Sequence, residues 1–236
     1  MRVVRINHFL KEEDKVSWII QDLLPSIGWT LLVGYKGLGK TTFAAQMCSA
    51  LQTGADFLGR KTQQTDILYL QADSVTDEWR EILRRVAPGS TGWTLVDVPE
   101  KCISNPSYVD AIRSLIERVN PGFIVFDSLY NLVSVSLNSE AVLIPINIMK
   151  MLAGSRPWLL IHHPPHGESR ASGHNSIGAN CSNEWHLLKT KLKIEKGRLV
   201  KDKEVLLDRD HNGLWIPKAV SSAGSGSYAD LLDREI

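Results

Sequence analysis

Leu31-Leu32-Val33-Gly34-Tyr35-Lys36-Gly37-Leu38-Gly39-Lys40-Thr41-Thr42 runs an apolar strand straight into the pattern G-x-x-x-x-G-K-T. Beyond it, Phe43, Ala44, Met47 and Leu51 recur at helical spacing, so the glycine loop joins a strand to a helix. The chemistry explains the spelling. Gly34, Gly37 and Gly39 let backbone wrap closely around an oxyanion, and Tyr35, Lys36 and Leu38 fill the turn between them. Amide N–H groups at the start of the helix then point at the anion. Lys40 supplies a point charge for the β- and γ-phosphates of a nucleotide, and the Thr41 hydroxyl is placed to coordinate Mg²⁺. Thr42 offers a neighbouring hydroxyl, although the motif requires only one.

Outward from this loop, short apolar runs alternate with helical patterns. Strands are expected at Ile67–Leu70, Trp93–Val96, Phe123–Phe126 and Trp158–Ile161, with helices at 76–86, 107–119 and 139–153. Fully apolar strands separated by helices indicate an α/β fold with a mostly parallel sheet covered on both faces. After residue 183 the texture changes to alternating segments at 185–194, 203–207 and 213–216. These predict an antiparallel β-extension at one sheet edge. The organisation is a lead-in over 1–28, one core domain over 29–218, and a Ser/Gly linker with a short tail over 219–236.

Bulk properties bound the function. A chain of 236 residues with 43% hydrophobic content can bury one full core, and a formal charge of +1 provides no global basic field. Cys48, Cys102 and Cys181 stand far apart, which reads as inert thiols in a reducing setting. No apolar run approaches the roughly 20 residues of a spanning helix. A cytoplasmic protein without a membrane partner is expected.

A second acidic motif completes the nucleotide reading. Phe123-Ile124-Val125-Phe126-Asp127 is a buried strand ending in a carboxylate, the position from which an acid on an adjacent strand partners the Mg²⁺ held by Thr41. No N-K-x-D follows to read guanine, and no L-S-G-G-Q is present. A small-molecule kinase lacks support, because no arginine-rich lid follows Asp127.

Taken together, the chain resembles the RecA-fold ATPases, and within them the plasmid RepA-type hexameric helicases and the helicase core of DnaB. The likeness spans residues 16–216. Besides the phosphate loop it rests on Trp18 with Leu23-Leu24-Pro25, on Ala50-Leu51-Gln52-Thr53-Gly54, and on Ile67-Leu68-Tyr69-Leu70-Gln71-Ala72-Asp73. Asp127-Ser128-Leu129 and Leu160-Ile161-His162-His163 continue it. The resemblance implies a RecA-like P-loop fold, ATP and Mg²⁺ as cofactors, and a homo-oligomeric, hexameric ring acting on single-stranded DNA.

The resemblance also implies roles for single residues. Asp73 stands where relatives carry the glutamate that orients the attacking water, and its shorter side chain implies slow hydrolysis. His163 matches the polar sensor of the γ-phosphate, while His166 replaces a lysine of the relatives. The segment 164–176, with Arg170, corresponds to a DNA-facing loop, and 131–139 to its uncharged companion. Lys196-Gly197-Arg198 matches a K-x-R finger that reaches a neighbour's site. Two functions therefore stand: a ring-forming DNA helicase or remodelling motor, or a nucleotide-gated switch with weak hydrolysis. In the second, the tail would dock a protein partner.

Overall fold

A computed structural model of the protein describes residues 16–73, 76–87, 92–163, 176–197 and 199–218. Arg198, His166, Arg170, most of the expected DNA-facing loop and the tail lie outside the described residues. The chain opens with β1 (Trp18–Ile20) and β2 (Leu24–Pro25), then runs β3 (Trp29–Val33), α1 (Lys40–Thr53), β4 (Ile67–Gln71), α2 (Thr76–Val86) and β5 (Trp93–Asp97). It continues with α3 (Pro106–Val119), β6 (Phe123–Asp127), α4 (Leu129–Leu132), α5 (Leu143–Ala153), β7 (Trp158–His162) and α6 (Ser176–Asn180). Strands β8 (Asn183–Leu187), β9 (Lys191–Gly197), β10 (Glu204–Arg209) and β11 (Trp215–Pro217) close it.

Nine strands form one sheet in the order β11-β10-β9-β8-β3-β7-β6-β4-β5. Strands β3, β4, β6 and β7 are buried at all five positions, which is why they read as continuous apolar runs. One face is packed by α1 and α2 around Phe43, Met47, Tyr69 and Trp79. The other is packed by α3 and α5 around Val109, Ile112, Ile146 and Met149. Helix α3 starts where Asn105 accepts the Ser107 N–H at 3.0 Å with Pro106 in its first turn, and it stops at Asn120, whose φ is 47°.

Three expectations change in detail. The segment 185–194 is two strands, and β8 pairs parallel with β3, so the antiparallel extension is β9 to β11. Residues 140–142 form a 3₁₀ turn ahead of α5. The lead-in contributes to the core, because Ile19, Ile20, Leu23 and Leu24 of the β1–β2 hairpin are buried in the α1 layer.

Candidate functional site

Parallel strands align their carboxyl ends along one rim of the sheet, and that rim collects the candidate residues. Val33 pairs with His162 and Gln71 with Asp127, so the phosphate loop, Asp73, Asp127 and His163 all leave the same edge. Strand β7 lies between β3 and β6. The carboxylate of Asp127 is therefore one strand further from the phosphate loop than the adjacent strand expected for it. Thr41 reaches across β7, and its Oγ1 donates to Asp127 Oδ2 at 3.0 Å.

The loop takes the backbone that its glycines permit: φ is 78° at Gly37 and 87° at Gly39, the residue before α1. Lys40 is buried, and its ammonium donates to the carbonyls of Gly34 at 2.6 Å and Tyr35 at 2.9 Å. Burial lowers its pKa to about 8 against the opposing pull of Asp127 and Asp73. Thr42 is buried at the base of the helix and Lys36 is exposed on the loop.

Asp127 is 1% exposed, and burial raises its pKa to about 6 although Tyr69 and Thr41 both donate to it. Tyr69 Oη donates to Oδ2 at 2.8 Å, while Oδ1 has no hydrogen-bond partner among the described residues. A buried carboxylate oxygen without a donor is suited to a cation. Among the described residues no group of three or more His, Cys, Asp or Glu is arranged around a metal. A Mg²⁺ here would accordingly rest on Thr41, Asp127, the nucleotide's oxygens and water, the sparse protein coordination that this ion accepts.

Asp73 sits beyond β4 with both oxygens engaged. Asn131 Nδ2 donates to Oδ1 at 2.6 Å and to the Ala72 carbonyl at 3.0 Å, and His163 Nε2 lies 3.2 Å from Oδ2. The His163 bond is the largest influence holding the Asp73 pKa below the usual carboxylate value. Asp73 therefore remains an ionised acceptor at neutral pH, linked on one side to α4 and on the other to the residue that leads into 164–175.

Lys196 is placed apart from this group. It faces Glu184 at the start of β8, and Asn183 pairs with Thr30, so it lies toward the opposite rim of the sheet. Its ammonium donates to the carbonyls of Gly178 at 3.0 Å and Ala179 at 2.8 Å. Sequence reasoning missed Tyr69 and Asn131. Tyr69 is hidden in an apolar run, and Asn131, expected at the start of the uncharged loop 131–139, lies on α4 four residues past Asp127.

The comparisons with known proteins fit this geometry. The AAA domain family matches residues 1–168. The chain belongs to the AAA domain family. Among solved structures, a KaiC-like protein from the hyperthermophilic archaeon Pyrococcus horikoshii OT3 aligns with a TM-score of 0.61 at 17% identity, over 85% of this chain and 94% of that chain. At that identity the likeness shows the fold, and this AAA domain is a RecA-like P-loop ATPase in architecture. No curated protein matches it significantly. Among the described residues no helix is long and apolar enough to cross a membrane.

Proposed function

We propose that this AAA domain hydrolyses Mg·ATP within a ring of identical subunits and uses the γ-phosphate to control a loop that engages single-stranded DNA. The observation that carries the reading is the 3.2 Å contact between Asp73 and His163, which joins the catalytic carboxylate to the residue leading into 164–175. In this reading Lys40 and the loop amides bind the phosphates, and Thr41 with Asp127 holds Mg²⁺, which supplies charge stabilisation for the transferring phosphoryl group. Asp73 accepts a proton from the attacking water, and His163 exchanges its Asp73 bond for one to the γ-phosphate.

Lys196 cannot serve its own subunit from the far rim, so its role, with Arg198, is toward a neighbour's nucleotide. Release from the carbonyls of Gly178 and Ala179 would accompany ring closure. The test combines light scattering and ATP turnover, with and without a non-hydrolysable ATP analogue and single-stranded DNA. Nucleotide-dependent assembly with DNA-stimulated turnover, lost in His163→Ala, supports the motor. A chain that stays monomeric under every condition refutes it.

One observation favours the switch instead. Both Asp73 oxygens already accept from Asn131 and His163, which leaves this short side chain poorly placed to take a water proton. ATP-dependent assembly with negligible turnover, and a gain in turnover on Asp73→Glu, would select that reading.

A further inference from the structure

The β10–β11 hairpin lies more than 160 residues from the phosphate loop in sequence, yet it grips that loop directly. Arg209, the last residue of β10, donates through Nη2 to the Leu38 carbonyl at 2.7 Å and through Nη1 to the Gly213 carbonyl at 2.6 Å. Its guanidinium lies over the Trp215 ring, 3.7 Å from the centroid. The Trp215 indole Nε1 in turn donates to the Gly39 carbonyl at 3.3 Å. Trp215 is fixed from beneath by Gln46 of α1, whose amide donates to the Trp215 carbonyl at 2.6 Å and accepts its N–H at 3.0 Å.

Peptide geometry gives these contacts a consequence. In a trans peptide the carbonyl and the following N–H point in opposite directions. A donor pulling on the Leu38 carbonyl therefore sets the direction of the Gly39 N–H. Donors on the Gly39 carbonyl, from Trp215 and from the Phe43 N–H at 2.9 Å, likewise set the Lys40 N–H. Those two N–H groups belong to the cradle that G-x-x-x-x-G-K-T presents to phosphate. The fit is close, since a Cβ at Gly39 would come within 2.7 Å of Arg209 Nη2. The hairpin turn has supports besides the Arg209 bond to Gly213, because Asp210 accepts the N–H groups of Asn212 at 2.9 Å and Leu214 at 2.8 Å.

We propose that Arg209, with Trp215 as its base, is a positioning residue that presets the phosphate loop for nucleotide, so that the antiparallel edge of the sheet governs ATP affinity. The proposal rests on the reading of residues 34–41 as the ATP site. Arg209 acts through the loop backbone, so its loss should weaken binding and leave the chemical step intact. The experiment uses the full chain, with ADP and a non-hydrolysable ATP analogue as titrants for wild type, Arg209→Ala, Arg209→Lys and Lys40→Ala. ATP turnover and the melting temperature of each protein without nucleotide are measured alongside.

Loss of one charge-assisted bond predicts about a tenfold rise in Kd and KM for Arg209→Ala, with kcat within about twofold of wild type. The unliganded melting temperature should fall by no more than about 2–4 °C, because the side chain is exposed and its contact with Trp215 contributes little at such a site. Lysine can still donate to the Leu38 carbonyl and should recover part of the affinity. Wild-type affinity in Arg209→Ala, or a loss that tracks a fall in unliganded melting temperature and is not recovered by lysine, overturns the clamp. Unimpaired binding in Lys40→Ala overturns the ATP site itself, whereas its failure beside an unaffected Arg209→Ala overturns the clamp alone.

Discussion

Replacing Tyr69 by Phe isolates one hydrogen bond at the Asp127 carboxylate. Tyr69 and Asp127 are both buried, and the 2.8 Å bond from Oη to Oδ2 is one of two that the Asp127 carboxylate accepts among the described residues. Hydrogen bonds to charged groups are worth roughly 1.5–3 kcal/mol and those to neutral ones roughly 0.5–1.5 kcal/mol, so the variant should lose about 2 kcal/mol with Asp127 ionised and about 1 kcal/mol with it protonated. The sign follows from the raised pKa of Asp127, about 6. Above it the buried charge opposes folding, and that cost fades as pH falls through about 6 toward the unfolded value. Tyr69 eases the cost, so its loss matters most at high pH. Denaturant unfolding at pH 8 and pH 5 should show the two penalties, or about 5 °C against about 2–3 °C in melting temperature for a chain of this length. The same difference of about 1 kcal/mol moves the acid limb of Mg²⁺-dependent turnover upward by about 0.7 pH unit. A penalty equal at both pH values, or an unmoved acid limb, would show that Tyr69 does not act through the Asp127 charge.

Lys40, lowered to about 8 by burial, should regain its proton when phosphates arrive. Calorimetry at pH 8.5 in buffers of different ionisation enthalpy should detect uptake of about 0.7 proton per site, and affinity should fall as pH rises through about 8; absence of uptake contradicts the assignment. Asp73→Asn should keep nucleotide affinity and lower turnover by about 100-fold or more if Asp73 handles the water proton. Asn131→Ala should reduce kcat by about tenfold at unchanged KM, since the 2.6 Å bond orients Asp73 without touching nucleotide. Lys196→Ala should leave ATP binding intact and suppress turnover only in the assembled protein, which subunit mixing with Lys40→Ala can detect.

What could be read from the chain follows from which interactions are local. The phosphate loop is legible because its spelling encodes its backbone: φ is 87° at Gly39, the glycine that the motif demands before Lys40. The central strands are legible because a parallel strand covered on both faces must be apolar throughout. Strand β8 was not, since its buried Asn183, Trp185 and Leu187 alternate with less buried neighbours, and alternation cannot say whether the partner runs parallel or antiparallel. Tyr69 reads as core in any sequence. Its hydroxyl acquires a role only because β4 and β6 pair Tyr69 with Val125 and Gln71 with Asp127, placing phenol and carboxylate on one face. Arg209 needs the edge hairpin to return to the phosphate loop, which no local pattern records.

Lys40 and Asp127 share a buried rim, and burial drives each toward its neutral form, the lysine down to about 8 and the aspartate up to about 6. Among the described residues each charge lacks a full complement of its own: the ammonium leans on two backbone carbonyls, and one carboxylate oxygen has no donor. They do not neutralise each other by direct contact, because Thr41 and Tyr69 are the donors at Asp127. A ligand that brings an anion to Lys40 and a cation to Asp127 relieves both at once, whereas an anion alone relieves one and leaves the buried carboxylate facing added negative charge. Mg·ATP matches that demand. Its stabilisation of the fold should therefore exceed that of metal-free ATP by more than the difference in free ligand concentration explains, and Asp127→Asn should remove the excess while leaving the metal-free response in place.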